Sequence, residues 1–168
     1  MTATNPIDDA AALGKLLADR GWLLGCAESC TGGLLSAAIT DIAGSSQWFE
    51  RGFVTYSNAA KMEQLRVGAD TLERFGAVSE ETAMEMAAGV LSVVEGAHFA
   101  MSTTGIAGPG GATPGKPVGM VCFGFAQRGP QGLTTRAATQ VFEGNRQQVR
   151  AASVAFALRT ALEIIRPC

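Results

Sequence analysis

Apolar residues recur at helical spacing from 7 to 20, with Leu13, Leu16 and Leu17 on one stripe and Gly21 placed to stop the run, which predicts a first helix. The period then changes. Trp22-Leu23-Leu24-Gly25-Cys26-Ala27 is a short uninterrupted apolar run, the pattern of a strand covered on both faces as in a parallel sheet. Glu28-Ser29-Cys30-Thr31-Gly32-Gly33 breaks it, and helical spacing resumes over 34–42. Residues 52–56 predict a second strand, and Ser57 and Asn58 are placed to cap a helix over 59–66. Ser79-Glu80-Glu81-Thr82 is a capping signature for a helix ending near Val94, with Ala83, Met86, Ala87 and Val90 on one stripe. A third strand is predicted at 97–103, two more at 118–126 and 133–142 across a Gly/Pro connection, and a long helix over 145–165 before Pro167.

Helices interleaved with three strands and followed by a hairpin predict one three-layer α/β/α domain spanning 1–168, on a mixed, mostly parallel sheet of about five strands. The stretch 105–119 fits no period. Its six glycines and three prolines make it a long connection without structure of its own, which is more often a binding loop than filler.

Composition narrows the function. At 168 residues the chain has the size of one ordinary domain, and 47% apolar against 17% charged residues excludes global disorder. A net charge of −2 with no basic run argues against binding the phosphate backbone of DNA or RNA, and leaves room for a small anionic ligand held by one or two arginines. The start of the chain has no basic segment followed by an apolar one, and no apolar run is long enough to span a membrane, so a cytoplasmic location is expected. Cys26, Cys30, Cys122 and Cys168 form no C-x-x-C pair, and His98 is the single histidine. Buried free thiols are expected, since these residues do not compose a zinc set.

Three polar clusters fall where strands end, the place at which α/β sheets gather their ligands. In the first, Ser29 and Thr31 lie between a strand and a helix start. The free N–H groups of Thr31, Gly32 and Gly33 and the positive helix end suit an oxyanion or a phosphate there, although a hydroxyl at this position also serves simply as a cap. The second cluster holds Tyr56, the only tyrosine, with Asn58 and Lys61. A serine nucleophile needs a base, and His98 sits at the wrong end of its strand to supply one. A lysine in a dry pocket can take that part with a tyrosine orienting the proton, whereas an ordinary Lys61 would lie solvated on its helix. The third is Ser102-Thr103-Thr104-Gly105, leading into the glycine loop. Residues 110–116 read G-x-x-x-x-G-K, but Pro117 and a strand follow where a Walker A motif requires Ser or Thr and a helix. Finally, Arg146 and Arg150 in the first turn of the last helix oppose its dipole and call for an anion, either Glu143 or a substrate phosphate.

Five blocks in order carry a resemblance over nearly the whole chain. They are Ala27-Glu28-Ser29-Cys30-Thr31-Gly32-Gly33, Asp41-Ile42-Ala43-Gly44-Ser45-Ser46, Gly52-Phe53-Val54-Thr55-Tyr56-Ser57-Asn58-Ala59-Ala60-Lys61, Thr104-Gly105-Ile106-Ala107-Gly108-Pro109-Gly110-Gly111 and Lys116-Pro117-Val118-Gly119. Together they resemble the CinA C-terminal domain family in its stand-alone form. The resemblance implies a nicotinamide-nucleotide amidohydrolase of pyridine-nucleotide salvage, a serine/lysine enzyme without metal or cofactor. It implies Ser29 as nucleophile, Lys61 as base and Tyr56 as its partner. Thr104 and Gly105 are implied to line the substrate site, Arg146 to approach the phosphate, and Asn58 with the 108–111 loop to help form the pocket. A small-molecule nucleotide partner and a homodimer are expected, with neither nucleic acid nor membrane. The alternative is a module of the competence and DNA-damage type that binds a nucleotide or a partner without turning it over. Longer relatives carry a second, N-terminal domain for which this chain leaves no room, and Gly115 stands where an acidic or polar residue is expected.

Overall fold

The computed structural model describes residues 5–167, so Cys168 and the first four residues lie outside it. In chain order the elements are α1 (Pro6–Arg20), β1 (Leu24–Glu28), α2 (Leu34–Thr40), a 3-10 turn (Ser45–Gln47), β2 (Phe49–Val54), α3 (Asn58–Leu65) and α4 (Ala69–Phe75). Then follow α5 (Glu80–Val93), β3 (Phe99–Gly105), β4 (Met120–Gly129), β5 (Gly132–Val141) and α6 (Arg146–Ile165). The expected helices and strands are all present. The 3-10 turn and α4 are additions: α4 has only seven residues, buries Leu72 alone and lies between Gly68 and Gly76, too short for a period to register. Strand β2 starts at Phe49, earlier than expected, because this edge strand carries exposed Arg51 and half-buried Glu50 where an apolar run would have marked it.

The sheet order is β2-β1-β3-β4-β5, with β1 parallel to both β2 and β3, and β4 antiparallel to β3 and β5. Four of the five strands therefore run the same way. Side chains alternate along the strands, so Leu24, Cys26, Phe99, Met101, Val121, Phe123 and Phe125 join one core with α1, α2 and α6. Ala27, Ala100 and Ala126 face the other way and join Leu65, Leu72, Met86, Val90 and Leu91 from α3, α4 and α5. Helix α2, which follows β1, and helix α5, which precedes β3, thus lie on opposite faces. That arrangement opens a crevice between the carboxyl ends of β1 and β3.

The second face is lined by very small residues, and α5 sits close upon it. A methyl on Gly124 would lie 2.0 Å from the Ala83 carbonyl oxygen, and one on Gly25 would lie 2.5 Å from Val90 Cγ1. Ser102 Oγ donates to that same Ala83 carbonyl at 2.6 Å. On the outer side α3 presses equally close, since a methyl on Gly89 would meet the Leu65 carbonyl at 2.0 Å. This stack brings α3, and with it Lys61, down toward the end of β1.

We expect Gly124→Ala to destabilise the protein by about 1–3 kcal/mol, because a well-packed core resists one added methyl. A chain of this size loses roughly 2–4 °C of melting temperature per kcal/mol. Gly96→Ala, whose added methyl meets nothing within 4 Å, should stay within about 0.5 kcal/mol of the parent. Equal melting temperatures for all three proteins would contradict the close seating of α5.

Candidate active site

The crevice holds a cavity of about 310 Å³ lined by Ser29, Tyr56, Lys61, Thr104, Gly105 and Arg146, among others. Each arrives from a different part of the fold. Ser29 begins the turn after β1, Lys61 comes from α3 after β2, Thr104 and Gly105 end β3, and Arg146 opens α6. Val78, Ile106 and Ala107 supply apolar wall.

Lys61 is 1% exposed, so the solvated position open to an ordinary helical lysine is not the one it takes. Ser57 caps α3 by accepting the N–H of Ala60, which starts the helix so that Lys61 and Leu65 share its inward stripe. The amine lies 3.0 Å from Ser29 Oγ, 3.0 Å from the Thr55 carbonyl and 3.1 Å from the Tyr56 carbonyl. No carboxylate joins them among the described residues. Burial pushes the Lys61 amine below its ordinary value, opposed by the neighbouring Cys30 thiol. The charged amine donates to both carbonyls and to Ser29 Oγ, whose own proton points to the Tyr56 carbonyl at 3.3 Å; on losing a proton the amine keeps its bonds to the carbonyls and can turn its lone pair to the serine hydroxyl. That is the arrangement a general base needs. Burial pushes the thiol of Cys30 up to about 12, so it stays protonated near neutrality and does not compete as a nucleophile.

The turn that carries Ser29 is fixed from several sides. The Ser29 N–H donates to the Thr103 carbonyl at 2.9 Å, and Gly32 N–H donates back to the Ser29 carbonyl. Gly32 and Gly33 have φ of +55° and +107°, a path that side chains disfavour. From α6, Arg150 donates to the carbonyls of Cys30 and Thr31 at 3.1 and 3.0 Å. Its charge is spent on the turn. Arg146 is placed differently. It donates to the Gly108 carbonyl at 2.8 Å and reaches the Tyr56 hydroxyl at 3.4 Å, and no ion pair with Glu143 occurs among the described residues. The helix start that sets both arginines is a capping box between Asn145 and Gln148.

The structure thus gathers Ser29, Tyr56, Lys61, Thr104, Gly105 and Arg146 around one cavity. Tyr56 contributes its carbonyl at the amine, while its ring is 63% exposed at the rim. Thr31, Gly32, Gly33 and Asn58 do not line the cavity, Thr31 being wholly buried behind the turn. His98 lies at the far end of the sheet, stacked on Trp22 and accepting from the Leu23 N–H. Cys26, Cys30 and Cys122 are free and buried. Two contributors escaped the sequence reading. One is Arg150 as a clamp, and the other is Glu28, fully buried at the end of β1. Gly115 has φ of +79° in the turn where Thr113 and Lys116 exchange backbone hydrogen bonds, which accounts for glycine there.

The chain is similar to known proteins over nearly its whole length. The family model described as the CinA C-terminal domain matches residues 8–165. A protein of Enterobacter agglomerans named nicotinamide-nucleotide amidohydrolase PncC is 57% identical over 150 residues, covering 89% of each chain. One of the same name from Escherichia coli K12 is 48% identical over 160 residues, covering 95% of this chain and 94% of its own. Among solved structures, a competence or damage-inducible protein from Enterobacter asburiae superposes with a TM-score of 0.91 at 37% identity, over 97% of this chain and 99% of that one.

If the neutral Lys61 amine is the form that accepts the serine proton, reactivity of Ser29 toward a fluorophosphonate should rise with pH. The rise follows the lowered Lys61 value and levels off once the amine is deprotonated, below the ordinary lysine range. Labelling followed by mass spectrometry from pH 5 to 10 checks this. A rate independent of pH, or one that falls, would remove Lys61 as base.

Proposed function

We propose that this chain, which belongs to the CinA C-terminal domain family, hydrolyses the carboxamide of nicotinamide mononucleotide to give nicotinate mononucleotide and ammonia by a serine/lysine mechanism. The observation that carries the reading is the buried Lys61 amine, 3.0 Å from Ser29 Oγ at the floor of an open cavity and without a carboxylate partner among the described residues. The names of relatives at 48% and 57% identity supply the substrate.

In this reading Ser29 Oγ attacks the carboxamide carbon as Lys61 takes the hydroxyl proton. Lys61 returns that proton to the departing nitrogen, ammonia leaves, and a nicotinoyl ester remains on Ser29. Water then attacks the ester, Lys61 takes its proton and passes it to Ser29, and the carboxylate product is released. The Thr55 and Tyr56 carbonyls hold the amine on line throughout. Gly32 and Gly33 shape the turn that presents Ser29 to the cavity. Thr104 donates its hydroxyl to the Ala77 carbonyl and so sets the wall beside Gly105. Asn58 enters only as the first residue of α3. Arg146, bridging Gly108 and the Tyr56 hydroxyl at the rim, is the proposed partner of the phosphate. A cytoplasmic location and a homodimer belong to the same reading, resting on the substrate class and on the apolar composition. No helix of the described residues is long and apolar enough to cross a membrane.

Ser29→Ala should abolish ammonia release from nicotinamide mononucleotide and leave the melting temperature nearly unchanged, because only one hydroxyl is lost. Wild-type turnover in that variant would exclude Ser29 as nucleophile. Arg146→Ala should weaken transition-state binding of the nucleotide by about 1.5–3 kcal/mol, roughly tenfold or more in kcat/KM. Nicotinamide riboside, which lacks the phosphate, should be turned over by this variant as by the parent. Equal losses on both substrates would mean that Arg146 acts only through Gly108 and Tyr56.

A further inference from the structure

Glu28 ends β1 and is fully buried, yet no ion pair includes it among the described residues. All four of its partners are donors. Oε1 accepts the Thr31 hydroxyl at 2.6 Å and the Leu35 N–H at 2.8 Å, while Oε2 accepts the Ser36 N–H at 3.0 Å and its hydroxyl at 2.8 Å. Oε1 thus bridges the Ser29 turn and α2, and Oε2 binds α2 alone. Capping alone does not call for this. Gly33, at the N-cap position of α2 with φ of +107°, offers no side chain, so Glu28 takes over the Leu35 and Ser36 N–H groups, but the Thr31 hydroxyl lies outside that cap and belongs to the turn.

The connections run on to both reacting groups. A threonine hydroxyl has one proton, and Thr31 gives its own to Glu28, so in its 2.8 Å contact with Thr103 Oγ1 it accepts. The carbonyl of the same Thr103 receives the Ser29 N–H at 2.9 Å. On the other side the Glu28 carbonyl accepts the Thr55 N–H at 2.8 Å, and the Thr55 carbonyl accepts the Lys61 amine at 3.0 Å. Side chain and main chain of one residue therefore hold the strand ends from which Ser29 and Lys61 meet. We propose that Glu28 is a positioning residue for the reaction, setting Ser29 against Lys61 through Thr31 and Thr103, a role that rests on Ser29 being the nucleophile. Glu28 touches no part of the cavity, so its loss acts on the chemical step and spares substrate binding.

The test compares Glu28→Gln, Thr31→Val and Ser36→Ala with the parent, reading kcat and KM for nicotinamide mononucleotide, fluorophosphonate labelling of Ser29, and melting temperature. Thr31→Val removes the arm toward the nucleophile, and Ser36→Ala removes the side-chain arm toward the helix. Misplacing a nucleophile slightly is enough to slow attack, so Glu28→Gln should lower kcat and labelling by roughly 10²-fold with KM held within about threefold. Thr31→Val should slow both by about tenfold or more, whereas Ser36→Ala should leave both within about twofold even where it lowers the melting temperature. If Glu28→Gln does not fold, the contrast between the other two variants decides. Folded Thr31→Val with parental kcat and labelling would overturn the proposal, as would losses in Thr31→Val and Ser36→Ala that simply track their melting temperatures. Labelling of Ser29 in a parent that releases no ammonia refutes the substrate and leaves the labelling contrast to decide on Glu28. A parent whose Ser29 does not label removes the nucleophile and Glu28's role together.

Discussion

A primary amine held out of water, with only two carbonyls and a hydroxyl for company, is the constraint around which this molecule is arranged. An ammonium in the same place would want a carboxylate, and none is supplied. The interior therefore shifts the amine toward its neutral form, and in the proposed mechanism the serine beside it finds its proton acceptor in Lys61. Such a site needs its walls closed around the amine. Much of the surrounding fold can be understood as what brings them there.

The closeness begins on the sheet. Gly25, Ala27, Ala100, Ser102, Gly124 and Ala126 leave so little side chain on one face that α5 rests against strand backbone, and Gly89 lets α3 rest against α5 in turn. Larger residues at these positions would lift α3 and draw Lys61 away from β1. On the opposite face the core is built of Phe, Leu, Met and Val, with α6 packed among them. That helix delivers the arginines. One face of the sheet thus sets the base by being thin, and the other sets the rim by being thick.

Much of this was legible in the sequence, for particular physical reasons. The uninterrupted run at 22–27 announced a doubly covered strand, and the polar residues at its end announced the turn that carries Ser29. Ser57 announced the start of α3, although not which way Lys61 faces, since one apolar neighbour at Leu65 defines no stripe. Helix α4 escaped because seven residues with a single buried leucine carry no readable period. Glu28 escaped for a different reason. A lone glutamate between a strand and a turn looks like surface, and only the three-dimensional convergence of Thr31, Leu35 and Ser36 shows it to be enclosed.

That enclosure also bears on where the substrate's phosphate goes. A strand, a glycine turn and a helix start form the arrangement that many nucleotide-binding sheets use to cradle phosphate on free N–H groups. Here Glu28 already occupies the Leu35 and Ser36 donors, and Gly32 donates back into its own turn. A second anion at that position would face a buried carboxylate. Arg150, the nearest cation to the turn, is engaged by the carbonyls of Cys30 and Thr31. Positive charge facing the cavity rim then comes from Arg146, which lines the cavity as Arg150 does not. In the proposed mechanism the two arginines of one helix turn thus divide the work, Arg150 holding the Ser29 turn and Arg146 left at the rim for the phosphate.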